Sequence, residues 1–380
     1  MHYFLIAGES SGDLHGAELI RSLKALDPQA RFTIVGGDRM ADASGASPLL
    51  HIRDLAIMGF SAVILNLPRI MRNIRTVRRA VIESRPDALI LSDYPSFNLK
   101  IAKTAHAAGI PSFYYIPPKV WAWKAWRVRR IRALITCVYA IVPFEPAFYA
   151  SRGADAVYVG NPSVPEVDAA LAAAPSREQF YALYRLPLRR AVVALMPGSR
   201  VAEIRSNLPV MIQAMDRFPQ YRPVIAGAPN IPDDLYASLA PGIPVCRTDS
   251  AVDLLANSAA ALVTSGTATL ETALAGIPQV AMYRANGSKI SYSLMKKLLN
   301  VSYVTLPNLI LGREAIPELL LHQCTPEAVA NALTPLLSPA LPQRTAQEKA
   351  CREIRRVLGT SNAPDTAAAD IVAKLNPSAH

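Results

Sequence analysis

The sequence predicts an α/β protein made of two doubly wound parallel-sheet domains. Short apolar runs that read as buried strands alternate with stretches of helical period. The alternation breaks over the Pro- and Ala-rich residues 162–187 and restarts, and breaks again over 336–342 ahead of a helical remainder. At 380 residues the chain is also too long for one ordinary hydrophobic core. Two successive βαβ series of similar size imply two such domains facing across a cleft. The expected limits are 1–163, 164–342 and a helical stretch, 343–380, that packs back on the first domain or on a partner subunit.

In the first series, residues 3–7 read as a strand, Gly8-Glu9-Ser10-Ser11-Gly12-Asp13 as a Gly-rich turn and residues 14–26 as a helix. The turn lacks a full Gly-X-Gly-X-X-Gly, so a plain βα connection and a ligand loop both fit it. Residues 32–35 give a second strand, and residues 86–91 a third that ends at Ser92-Asp93-Tyr94-Pro95. Ligands of open parallel sheets gather outside the carboxyl ends of the strands, which places Asp93 where chemistry would be done. A strand-end Asp also caps helices. Residues 112–116 follow, then Pro117-Pro118-Lys119-Val120-Trp121-Ala122-Trp123-Lys124-Ala125-Trp126, which holds all three tryptophans beside Arg127, Arg129, Arg130 and Arg132. Such a segment can stack bases, frame a sugar or lipid headgroup, or pack a loop. Strands near 138–142 and 156–159 complete the series.

The second series opens with a strand at 191–196, the turn Pro197-Gly198-Ser199-Arg200 and a helix carrying Glu203. Strands near 224–226, 260–263 and 279–282 follow. The 260–263 strand feeds Thr264-Ser265-Gly266-Thr267-Ala268-Thr269-Leu270-Glu271, a tight turn into a helix that stops at Gly276. The first N–H groups of such a helix lack partners inside it. With the helix dipole they form an anion site, to which the hydroxyls of Ser265, Thr267 and Thr269 can add donors. Glu271 lies in the first turn and can accept hydrogen bonds from sugar hydroxyls. A well-capped buried helix would carry the same residues.

A formal net charge of +11 points to an anionic partner or surface: nucleic acid, phospholipid headgroups or a phosphorylated substrate. Part of that charge has a pattern, since Arg69, Arg72, Arg75, Arg78 and Arg79 interleave with Leu67, Ile70, Met71, Ile74 and Val77. With Phe60, Val63 and Ile64 upstream, this reads as a basic amphipathic helix, kinked or split at Pro68. A core-facing helix shows the same stripe. Cys137, Cys246, Cys324 and Cys351 stand far apart with no Cys-X-X-Cys spacing, which indicates neither a zinc site nor a disulfide framework. Residues 3–7 carry no basic leader, and no apolar run is long enough to span a bilayer, so a cytoplasmic chain is expected.

Several segments match collinearly along nearly the whole chain. They are Ala7-Gly8-Glu9-Ser10-Ser11-Gly12-Asp13, Leu55-Ala56-Ile57-Met58-Gly59, Asp93-Tyr94-Pro95-Ser96-Phe97-Asn98, Pro118 to Trp123, Pro143-Phe144-Glu145, Val159-Gly160-Asn161-Pro162, Pro197 to Arg200, Ser265 to Glu271 and Leu306-Pro307-Asn308-Leu309. In these the sequence resembles the lipid-A-disaccharide synthase family of glycosyltransferases. Pro117 stands where the family usually has Ser, and Ser96 where it often has Asp or Gly.

The resemblance implies the GT-B architecture: two Rossmann-like domains, the first on the acceptor and membrane side, the second binding a UDP-sugar. It implies an inverting transfer from UDP-2,3-diacylglucosamine to 2,3-diacylglucosamine 1-phosphate. The products are a β(1→6) disaccharide 1-phosphate and UDP, in lipid A (lipopolysaccharide) biosynthesis. Asp93 would be the base for the acceptor 6-hydroxyl, and Arg200 would hold the departing diphosphate. Substrate contacts would fall on Glu9, Ser11, Gly12, Gly198, Ser199, Glu203, Ser265, Gly266, Thr267, Ala268, Thr269, Glu271 and Asn308. No Asp-X-Asp occurs, so no metal or other cofactor is expected. Acylated substrates imply peripheral attachment to the anionic inner membrane through Phe60, Val63, Ile64, Leu67, Ile70 and Met71, and the chain is compatible with a homodimer. A UDP-N-acetylglucosamine 2-epimerase shares the architecture but has no need of the arginine-rich amphipathic segment. A nucleic-acid-binding protein would explain the basic and Trp-rich stretches, yet no nucleic-acid module is recognisable.

Overall fold

A computed structural model describes residues 1–55, 66–122, 125–247, 251–284 and 302–376. The chain forms two compact units, Met1–Pro162 with Thr360–His380, and Ser163–Gly359.

The first unit holds a seven-stranded parallel sheet of order β3-β2-β1-β4-β5-β6-β7. Its strands are β1 (His2–Ala7), β2 (Arg31–Gly36), β3 (Leu50–His51), β4 (Ala88–Ser92), β5 (Ser112–Tyr115), β6 (Cys137–Ala140) and β7 (Ala156–Tyr158). Helices cover both faces, which is why the central strands are continuous apolar runs without alternation. Phe4, Ile6, Leu89 and Leu91 pack with the Leu67–Ser84, Pro95–Ala107 and Val128–Leu134 helices. Tyr3, Leu5, Ala88 and Ile90 pack with the Ser10–Leu26 and Ala363–Leu375 helices.

The second unit holds a six-stranded parallel sheet, β10-β9-β8-β11-β12-β13. Its strands are β8 (Ala191–Met196), β9 (Tyr221–Ala226), β10 (Val245–Cys246), β11 (Ser258–Thr264), β12 (Gln279–Tyr283) and β13 (Glu318–Leu320). In each sheet the winding reverses beside the first strand, between β1 and β4 and between β8 and β11. These reversals are where ligands of doubly wound folds bind.

Several expectations are corrected. The 343–380 stretch divides: the Pro342–Leu358 helix packs on the Thr267–Leu274, Leu306–Leu311 and Pro326–Leu337 helices of the second unit. There the Gln347 amide donates to the Gln279 carbonyl at 3.1 Å. Only the Ala363–Leu375 helix returns to the first unit. Ser22 Oγ donates to Asp365 Oδ1 at 2.6 Å, and the Tyr139 hydroxyl donates to Asp370 Oδ2 at 2.8 Å. Of the kink or split expected at Pro68, the kink is absent: Pro68 sits in the first turn of Leu67–Ser84, where its missing N–H costs nothing. The helix after β1 begins at Ser10, so Ser11, Gly12 and Asp13 belong to its first turn. No helix among the described residues is long and apolar enough to cross a membrane.

Candidate functional site

At the reversal of the first sheet, the end of β4 turns sharply. Asp93 and Tyr94 both adopt left-handed backbone conformations, with φ of 45° and 41°. For residues with a β-carbon this costs on the order of 1 kcal/mol each, so the surroundings must hold the turn. The Asp93 N–H donates to the Ile116 carbonyl at 3.3 Å. The Asp93 carbonyl accepts from Asn98 Nδ2 at 2.8 Å and from the Tyr114 hydroxyl. Burial, with the charge of Glu9 adding to it, pushes the Asp93 carboxyl up to about 6, while His15 and Lys119 pull the other way. The group is therefore ionised at neutral pH yet more basic than an ordinary carboxylate, as a general base requires.

Glu9 and Ser11 are exposed at the end of β1. Gly12 is buried, and a β-carbon there would stand 3.2 Å from the Ala7 β-carbon, so it serves the packing of helix on strand. Asp13 is also buried. Its carboxylate accepts from the main-chain N–H groups of Gly37, Arg39 and Met40 at 2.6, 3.2 and 3.1 Å, which caps the Asp38–Ser44 helix. The conspicuous acidic residue of the first turn is thus structural.

At the reversal of the second sheet lies a cavity of about 430 Å³. Gly198, Ser199, Arg200 and Glu203 line it from the end of β8, and Ser265, Gly266, Thr267, Ala268 and Glu271 from the end of β11. Gly198 has a φ of +111°, and a β-carbon there would meet Glu203 Oε2 at 2.6 Å. The two oxygens of Glu203 are shared: Oε1 accepts from Arg200 Nη1 at 3.0 Å and Oε2 from the Ser199 N–H at 3.2 Å. The Arg200 side chain stays 72% exposed, free to turn toward an anion. Because Gly266, Thr267 and Ala268 form part of the wall, the N-terminal end of the Thr267–Leu274 helix borders the cavity, where its dipole favours negative charge. Burial, and secondarily the charge of Glu166, raises the Glu271 carboxyl above its ordinary range.

Two expected contacts do not reach the cavity. Thr269 is fully buried and its hydroxyl donates to the Gly266 carbonyl at 2.8 Å, so it shapes the helix start. Asn308 is fully buried as well. Its Nδ2 donates to the Ile316 carbonyl and Glu318 Oε1, both at 2.8 Å, and its Oδ1 accepts from the Ala315 and Ile316 N–H groups. Its hydrogen-bonding capacity is spent on its own loop.

Sequence reading missed the far wall of the cavity, formed by Ala226, Gly227, Ala228, Pro229, Cys246 and Ala251. These small residues carry no signal of their own, though the place of Ala226 to Pro229 at the end of β9 does. It also missed Thr264, whose buried Oγ1 lines the cavity without a hydrogen-bond partner among the described residues.

Of the residues expected at a membrane, Leu67 is 53% and Met71 37% exposed, whereas Ile70 packs against the core. Ile74, Val77 and Val81 of the same helix are buried. Phe60, Val63 and Ile64 lie outside the described residues. In the Trp-rich segment, Trp121 is buried and Trp126 is 57% exposed, within cation–π distance of Arg127 and Arg130. Trp123 lies outside the described residues.

Residues 3–372 match the family model for lipid-A-disaccharide synthetase. The chain belongs to this family. It is 38% identical to the lipid-A-disaccharide synthase of Myxococcus xanthus, over 98% of this chain and 97% of that one. It is 37% identical to the enzyme of Acidobacterium capsulatum, over 88% and 86%. Among solved structures, the UDP-GlcNAc 2-epimerase of Neisseria meningitidis bound to UDP-GlcNAc superposes with a TM-score of 0.67 at 12% identity, covering 98% of this chain and all (100%) of that one. The calicheamicin glycosyltransferase CalG4 does so with 0.61 at 16%, covering 100% and 99%. Those likenesses establish the two-unit GT-B fold; the family membership makes the chain a glycosyltransferase of lipid A biosynthesis.

Proposed function

We propose that the second unit binds UDP-2,3-diacylglucosamine in the cavity between the ends of β8 and β11, and that the first unit presents 2,3-diacylglucosamine 1-phosphate to Asp93. Asp93 takes the proton of the acceptor 6-hydroxyl, whose oxygen then attacks the anomeric carbon from the face opposite the leaving group. The bond to UDP breaks as the β(1→6) bond forms. Charge that grows on the diphosphate is met by Arg200 and by the end of the Thr267–Leu274 helix. Glu271 accepts from hydroxyls of the nucleoside sugar.

One observation carries this reading: the expected base and the expected diphosphate-binding groups each stand at the winding reversal of their own sheet. Asp93 follows β4, and Arg200 and Ser265–Glu271 follow β8 and β11. The membrane side of the reading rests on Leu67, Met71 and the exposed Arg69, Arg72, Arg75 and Arg79 of one helix, and on Trp126 with its arginines. Such a surface suits the anionic cytoplasmic face of the inner membrane, where acylated substrates reside. Mass spectrometry of products from the two acylated sugars tests the reaction. A tetraacyl disaccharide 1-phosphate with free UDP is expected, and UDP-sugar returned as an epimer would overturn it.

A further inference from the structure

After β5 the chain turns at Ile116, which has a φ of +56°. The following Pro117–Ala122 stretch is closed by two main-chain hydrogen bonds, Val120 N–H to Pro118 O at 2.6 Å and Ala122 N–H to Lys119 O at 3.1 Å. Val120 and Trp121 are buried while Lys119 is exposed. The Trp121 indole N–H donates to Glu145 Oε1 at 2.8 Å, and its ring meets Phe144 edge-on at 5.0 Å. The other carboxylate oxygen of Glu145 accepts from the Val142 N–H at 3.1 Å.

Glu145 is only 1% exposed, and desolvating a carboxylate to that degree is costly unless its partners repay it. Burial pushes its carboxyl up to about 7, against the hold of the Trp121 and Val142 bonds and the charge of Lys119. The hydroxyls of Tyr149 and Tyr158 also feel this carboxylate. Asp93, for its part, feels Glu9, His15 and Lys119. Lys119 thus acts on both carboxylates, and the stretch that carries it is anchored by Glu145.

We propose that Glu145 is a positioning residue for the transfer. By holding Trp121 it fixes the turn that keeps the Lys119 charge near Asp93 and the Ile116 carbonyl on the Asp93 N–H. The inference rests on Asp93 being the base.

The test compares Lys119→Met, Trp121→Phe, the two combined, and Asp93→Asn in the full chain, reading kcat, KM, melting temperature and the acidic limb of kcat/KM against pH. Without the Lys119 charge Asp93 keeps its proton to higher pH. Lys119→Met therefore moves the acidic limb upward, and at an exposed site it leaves the melting temperature unchanged. Trp121→Phe removes the bond to Glu145, moves the limb in the same direction and lowers kcat on the order of 10- to 100-fold with a smaller change in KM. The combined variant moves the limb no further than Lys119→Met alone. If Lys119→Met moves the limb and Trp121→Phe does not, positioning through Glu145 is overturned. If neither moves it while Asp93→Asn abolishes turnover, Asp93 stands as the base and the coupling is overturned. Near-normal turnover in Asp93→Asn overturns the reading of Asp93 and this inference with it.

Discussion

The ring of Tyr94 lies so close to Gly8 that a β-carbon on Gly8 would stand 2.5 Å from the ring's Cγ. The turn after β4 is thereby pressed against the turn after β1, which brings the carboxylates of Asp93 and Glu9 within reach of each other's charge. Gly8→Ala should displace Tyr94 and, with it, Asp93. We expect kcat to fall by about 100-fold with UDP affinity unchanged, since the donor cavity belongs to the other unit. Turnover against isothermal titration with UDP separates the two quantities.

Asp93→Ala should lower turnover by roughly 10²- to 10⁴-fold, the usual share of a general base, and leave UDP binding intact. Asp93→Asn should do the same and also stabilise the fold. The folded carboxyl titrates near 6 and the unfolded one near 3.8. The native state therefore holds the proton more tightly, and the wild type loses stability as pH rises between those values. Measured by denaturant melts, the advantage of Asn should be on the order of 3 kcal/mol at pH 8 and shrink to little near pH 4. An advantage that did not change with pH would show that the shift is absent.

Arg200→Ala should weaken UDP binding by roughly 10- to 100-fold, the worth of a charge-assisted hydrogen bond. It should slow kcat as well, because charge on the diphosphate grows toward the transition state. With Arg200 and the helix end supplying the neutralisation, chelator should leave wild-type turnover unchanged. Loss of activity in chelator that magnesium restores would contradict this.

Leu67→Ser with Met71→Ser should reduce cosedimentation with anionic vesicles, more so in high salt, while the melting temperature stays put, because both side chains are exposed. Ile74→Ala on the same helix should do the reverse. It deletes a side chain that is 2% exposed and should cost about 2–5 kcal/mol, with membrane affinity of the folded fraction retained. Equal effects of both changes on stability would place Leu67 and Met71 in the core.

The long central strands were legible because burial on both faces writes them as unbroken apolar runs. The short edge strands β3, β10 and β13 were not, since two or three residues such as Leu50–His51 leave no period to detect. The residues that line the cavity at the ends of β8 and β11 were legible for a chemical reason: Gly, Ser and Thr at a strand-to-helix turn are there for their backbone freedom and hydroxyls. The same reasoning expected Thr269 at the cavity, and the family resemblance expected Asn308 there; a polar side chain that completes its own loop looks, in one dimension, like one that faces a ligand. Glu145 went unassigned on the opposite ground. A Glu is taken as solvated by default, and its partner Trp121 is 24 residues away in the chain.

The Ala363–Leu375 helix has a consequence for how the protein comes into being. It covers Leu19, Ile20 and Leu23 on one face of the first sheet, yet the ribosome delivers it only after all of Ser163–Gly359 has been made. At about 5–20 residues per second, that face waits on the order of 10–40 s for its cover. During synthesis the first unit is an apolar surface in want of a last piece, and the carbonyl of Ser361, which a β-carbon at Gly160 would strike, leaves that piece little tolerance for a wrong seat. A nascent chain stalled before Ala363 should therefore be held by chaperones.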